Sequence, residues 1–265
     1  MIAREMTCQS AMVSQGSRLR LLTMTQCNSY FIMRNHRSIF PTIADIKTVA
    51  RHEAGHLLML WLLDRYAVAC IITDEGGLTK ALDEHDTKET PHQRILYAMA
   101  GMVLSADFDL LNNLRQHATE PGYFDPISDS HHAAEALPLV GGDPMLVLCQ
   151  FNDIILRLGS RFRKAHRQAA KLLLERQKIA FDMIHGLFSQ WDVEYGLTSR
   201  PKSDLVCRAV ARAFRWPMPR GKFIGWDFKP LPTGFVAPAR IDLMELAERV
   251  REQSNRHIVA VEILI

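Results

Sequence analysis

The chain has 265 residues, 48% of them hydrophobic and 23% charged, with a formal net charge of +3. That composition supplies enough apolar side chain for a real core and is too weakly basic to point to nucleic acid by charge alone. Five widely spaced cysteines, Cys8, Cys27, Cys70, Cys149 and Cys207, contain no CxxC pair, which argues against a disulfide framework or a thiolate zinc site and fits a reducing, cytoplasmic setting.

Residues 1–40 carry Arg4, Arg18, Arg20, Arg34 and Arg37 against one acid, Glu5. They read as a flexible leader or a start codon placed too early, with an organellar transit peptide as the alternative. Residues 41–195 are expected to form the main domain and 196–265 a Pro-rich extension packed on it. The best apolar run, Leu57 to Leu63, stops at Asp64 and Arg65. It falls far short of the roughly 20 residues that cross a bilayer, so no membrane span is expected.

A helix is predicted from Pro41-Thr42 to about Asp64. Ile43, Ile46, Val49, Ala50, Leu57, Leu60 and Leu63 recur at helical spacing, and Thr42 with Asp45 resembles a capping box. Ala67 to Thr73 is short and rich in β-branched residues, and Gly76-Gly77 follows, so it reads as a strand ending in a turn. Pro91 opens a second helix to about Gln116, with Ile95, Met99, Met102, Val103 and Leu110 as its buried stripe. Residues 117–128 read as a loop. A third helix is placed from Ser128-Asp129 to just before Pro138. Two longer helical segments follow, near 144–158 and 160–190. Beyond residue 195 the pattern predicts short helices near 203–215 and 241–253 and a closing strand over His257–Ile265. The fold class is therefore mainly α, with a short strand or small sheet beside the first helix.

The chemistry concentrates in that first helix, at His52-Glu53-Ala54-Gly55-His56. Two histidines four apart lie one above the other on a helix face, so both can offer an imidazole nitrogen to one Zn²⁺. Glu53, next in sequence to the first of them, points beside the metal. There it can take a proton from an attacking water and pass it to a leaving amine, as general base and acid. Gly55 leaves room for another backbone. The competing view, an accidental HExxH in a histidine-rich chain, must explain three polar groups set among apolar neighbours in mid-helix, at a desolvation cost that a metal would offset.

Zinc needs a third protein ligand and one open position. The spacer HExxHxxGxxH is absent, because Met59, Trp61 and Leu62 follow His56, and the second helix contains no Glu. Asp125, Asp129, His131, His132 and Glu135 are the candidates left.

Thr48-Val-Ala-Arg-His-Glu-Ala-Gly-His56 resembles the peptidase domain of the FtsH family, the zinc proteases joined to an AAA ATPase. Ala100-Gly101 falls where that family has an AGRxAE helix. Ser128 to Ala134 is similar to the segment in which an Asp supplies the third ligand, and Asp129 lies at a compatible interval, 73 residues after His56. Arg163 to Phe188 resembles its late helical hairpin. The likeness covers about residues 42–190. It implies a helical zincin-like metallopeptidase domain in which His52, His56 and Asp129 bind zinc and Glu53 is catalytic. Met102 and Ser105 stand where the family has Arg and Glu, and no GxxxxGK[ST] Walker A motif occurs in the sequence.

The expected activity is that of a zinc-dependent metalloendopeptidase hydrolysing peptide bonds in unfolded or flexible protein segments. A separate unfoldase or self-assembly are the candidate partners. The alternatives are an inactive or regulatory zinc protein of the same fold that acts as a binding module, and a protease specific for one partner. The basic run from Arg157 to Lys178 reads as a solvated helix face. Arg208, Arg212, Arg215, Arg220 and Lys222, interleaved with Trp216, Phe223 and Trp226, read as packing against the core in preference to stacking on nucleic acid.

Overall fold

A computed structural model of the chain describes residues 45–74, 76–82, 90–106, 129–199 and 201–214. Among these are seven helices and one small three-stranded antiparallel sheet. In chain order they are α1 (Ile46–Leu62), β1 (Ala67–Ile72), β2 (Gly77–Ala81), α2 (Pro91–Ser105), α3 (Asp129–Val140), α4 (Pro144–Arg161), α5 (Arg163–Arg176), β3 (Lys178–Ala180), α6 (Phe181–Glu194) and α7 (Ser203–Ala213).

α1 is the axis of the core. From Ala54 to Leu62 every residue is buried, the pattern of a helix covered on all sides. It packs against α2 and α5, and more lightly against β1 and β2. Its first turn starts later than the periodicity suggested, at Ile46. Asp45 is extended there (ψ 131°) and its side chain accepts a hydrogen bond from Lys47 N, so it is Asp45 that caps the helix. Thr42 lies outside the described residues.

β1 is buried along its length and central in the order β2-β1-β3. Cys70 faces Thr79 on one side and Ile179 on the other. The turn at Thr73–Gly76 closes with Thr73 N donating to Gly76 O at 2.7 Å, and the chain then returns as β2, on the edge of the sheet. That returning strand was not among the sequence expectations.

α2 opens on a full capping box. Gln93 N donates to Thr90 Oγ1, and Thr90 N donates to Gln93 Oε1 at 2.9 Å. It ends at Ser105, well before Gln116, because Ala106 turns left-handed (φ 59°). α3 runs through Pro138 to Val140 instead of stopping before the proline. Proline there removes one backbone donor in the last turn, and only two more residues follow before Gly141 and Gly142, both left-handed, stop the helix. Asp143 then caps α4 through Leu146 N.

The expected single helix over 160–190 is two helices with a strand between. Gln177 is left-handed (φ 58°), and Ile179, fully buried, leads β3 into the sheet beside β1. Pairing with a sheet edge overrides a local helical pattern here. α6 restarts at once and brings Trp191 edge-on to Trp61 at 5.3 Å. α7 packs on α4 and α1, with Val206 and Val210 in the common core. The helix and strand expected over 241–265 lie outside the described residues. No single described helix is long and apolar enough to cross a membrane.

Candidate metal centre

His52 and His56 project from one face of α1 toward α2, and Asp129 is the first residue of α3. The three converge. His52 Nε2 is 2.8 Å from Asp129 Oδ2, His56 Nε2 is 3.0 Å from the same oxygen, and the two ring nitrogens are 3.1 Å apart. His56 Nδ1 is 3.0 Å from the carbonyl oxygen of Tyr97. A carbonyl only accepts, so Nδ1 carries a proton, and whenever the ring is neutral its Nε2 lone pair faces the cluster. The Tyr97 ring also packs on the His56 ring at 4.8 Å.

Glu53 lies on the neighbouring face of α1, turned toward β2. Its carboxylate is within 4.8 Å of both histidine donor atoms, so His52, Glu53 and His56 could hold a metal ion. Asp129 is nevertheless the closer third donor, because Glu53 is engaged elsewhere: Thr79 Oγ1 donates to Glu53 Oε2 at 2.6 Å. Tyr97 OH donates to Thr79 O at 2.8 Å, and Cys70 Sγ lies 3.1 Å from Thr79 Oγ1. Thr79 and Tyr97 were not singled out in the sequence. Neither belongs to the motif, and only the fold brings them to it.

Burial sets the electrostatics. Glu53 is 3% exposed and His56 3%. Burial raises the carboxyl pKa of Glu53, against the opposing pull of His56, His52 and the Thr79 hydroxyl. Burial works against a charged His56 as well, but Asp129, Glu53 and the Tyr97 carbonyl outweigh it and push its pKa up to about 9. Asp129 is also disfavoured as a carboxylate by burial. The two imidazoles reverse that and hold its carboxyl well below the usual range.

The donor set fits a divalent cation. Two ring nitrogens and a carboxylate oxygen, mutually 2.8–3.1 Å apart, are Lewis bases that need a shared cation, a proton or a metal, to sit so close. Tetrahedral zinc with donors at about 2.0–2.1 Å spaces them about 3.3 Å apart, so a few tenths of an ångström of opening accommodates it. Three glycines clear the ground. A Cβ on Gly101 would lie 2.5 Å from His56 Nε2 and 2.6 Å from His52 Nε2. One on Gly77 would lie 2.5 Å from Glu53 Cγ, and one on Gly55 2.6 Å from Ala100 O, at the close backbone approach of α1 and α2.

The remaining candidates are elsewhere. His131 Nε2 is 3.2 Å from Glu135 Oε1, and Glu135 is 3.8 Å from Arg94. His132 is exposed, and Asp125 lies outside the described residues. Met102 is fully buried, and Ser130 Oγ, one residue after Asp129, contacts its sulfur at 3.7 Å. Ser105 Oγ donates back to Met102 O within its own helix. Of the basic run, Arg157 pairs with Asp153 and Lys164 with Glu194. Arg208 and Arg212 lie on the exposed side of α7, and the rest of that second basic set lies outside the described residues. No protein-family model and no curated protein matches the chain.

Proposed function

We propose that this protein is a zinc-dependent metalloendopeptidase acting on unfolded or flexible protein segments, with His52, His56 and Asp129 as metal ligands and Glu53 as general base and acid. The observation that carries the reading is the meeting of Asp129 Oδ2 with both Nε2 atoms at 2.8 and 3.0 Å, beside a buried Glu53 whose carboxylate is turned to Thr79.

His52, His56 and Asp129 would hold a Zn²⁺ at net +1, which when bound would supply polarisation of a scissile carbonyl and acidification of water. The side chains do the rest. The Tyr97 carbonyl fixes the tautomer and the tilt of His56. Asp129 supplies the negative charge that stabilises the cluster. Glu53, buried and next to the ligands, accepts the proton of the attacking water on a carboxylate oxygen and returns it to the leaving amine nitrogen. Burial keeps bulk water from competing for that carboxylate.

Intact Glu53 distinguishes this reading from a purely structural zinc site, which has no use for a buried base. Chelator-stripped protein is expected to lose cleavage of unfolded casein and to recover it on adding back stoichiometric zinc. Cleavage that persists in fully stripped protein would overturn the proposal.

A further inference from the structure

A buried carboxylate needs donors, and the main one Glu53 has comes from the edge strand β2. Thr79 carries a single hydroxyl hydrogen, and it donates that hydrogen to Glu53 Oε2 at 2.6 Å. The 3.1 Å contact between Thr79 Oγ1 and Cys70 Sγ must then run the other way, with the thiol donating to the hydroxyl. The result is a directed chain from Cys70 through Thr79 to Glu53.

Thr79 itself is held from three sides. It stands opposite Cys70 in the β1–β2 register. Its carbonyl accepts from Tyr97 OH at 2.8 Å. The strand is pressed against the Glu53 stem at Gly77, where a Cβ would fall 2.6 Å from Oε1. Tyr97 also receives the His56 Nδ1 proton on its own carbonyl. One tyrosine of α2 therefore holds both a metal-ligand candidate and the strand that grips the base.

We propose that Thr79 is the positioning residue for Glu53: its hydroxyl pins Oε2 and so orients the carboxylate beside the two histidines. The inference rests on the reading of Glu53 as the general base, and it assigns β2 a role in catalysis beyond completing the sheet.

The test compares wild type with Thr79→Val and Thr79→Ser, by zinc content, by casein cleavage and by crystal structure. Valine keeps the branched shape and the strand preference of threonine but has no donor. The expected result is unchanged zinc content and KM in T79V, with kcat lower by about 10–100-fold, the range typical of outer-shell partners. T79S should recover most of the rate. In the T79V crystal the Glu53 carboxylate should leave its wild-type orientation. T79V with wild-type kcat, T79V that loses rate only in proportion to lost zinc, or a T79V crystal with Glu53 unmoved would each overturn the inference. A wild type that holds zinc yet cleaves nothing would sink the peptidase reading instead, and the crystal comparison would still decide whether Thr79 holds Glu53.

Discussion

His56 Nε2 lies 3.0 Å from Asp129 Oδ2, although 73 residues separate them in the chain. The contact joins the middle of α1 to the first turn of α3, and α2, packed against both, is the wall between them. It makes Asp129 the residue outside the HExxH motif on which the proposed metal centre would depend most. Asp129→Ala should weaken zinc binding by more than ~100-fold, beyond the 10–100-fold usual for outer-shell changes. Competition with a chelator of known affinity measures this. His131→Ala, on the same helix but paired with Glu135, should leave zinc affinity unchanged.

Gly101→Ala tests the space between α2 and the two rings. The new methyl would fall 2.5 Å from His56 Nε2, and His56 is tied to Tyr97 O and cannot swing aside freely. The expected outcome is loss of zinc from a protein that still folds. Alanine is favoured over glycine in a helix by about 1 kcal/mol, but a methyl forced against a tethered ring costs about 1–3 kcal/mol, so the metal-free variant should melt modestly below metal-free wild type. Metal analysis together with thermal unfolding separates the two effects.

Zinc uptake should release protons. Burial disfavours a charged His56, but Asp129 and its other neighbours raise its pKa to about 9, so at pH 7 the metal-free ring holds a proton that a metal must displace. Lowering the pH strengthens that competitor. Apparent zinc affinity should therefore fall as pH drops from about 9 toward 6. Titration calorimetry in buffers of different ionisation enthalpy would show the release. An affinity flat over that range would mean that His56 is not a ligand.

Much of α1 is legible in the sequence, because Leu57, Leu60 and Leu63 keep helical spacing and HExxH carries its own geometry. Pro91 likewise marks the start of α2. β2 was missed for a physical reason: Gly77-Leu-Thr-Lys-Ala81 has little β-branched character and owes its extended form to pairing with β1. β3 is three residues long and hides in a helical pattern that Gln177 interrupts without a glycine. Asp129 stood among five candidates until the resemblance to a family singled it out, since residue spacing alone does not say which carboxylate reaches a helix 73 positions earlier. Thr79 has no local signature at all. Its role depends on which oxygen of Glu53 it meets, and that is set by packing.

Lys202 and Ser203, at the start of α7, are tied to the core through Asp64. Its side chain, 2% exposed, receives Ser203 N at 2.8 Å and Ser203 Oγ at 2.7 Å, and pairs with Lys202 at 3.0 Å. Lys202 in turn reaches Asp192, the acceptor for Trp61 Nε1. Asp64→Ala should cost about 3–5 kcal/mol, the range for breaking a buried ion pair on one side. It also places alanine at a left-handed φ of 55°. Asp64→Asn, which tolerates that backbone and keeps acceptor capacity, should cost less. Urea unfolding of the zinc-loaded proteins gives both values.

The most direct test pairs two numbers from one preparation of wild type and one of Glu53→Gln: zinc bound per chain, and the rate of casein cleavage. Glutamine keeps the shape of Glu53 but cannot take a proton. Equal zinc in both proteins, with cleavage lost by about 100-fold or more in the variant, is the predicted result. Undiminished cleavage by the zinc-loaded variant would contradict the account.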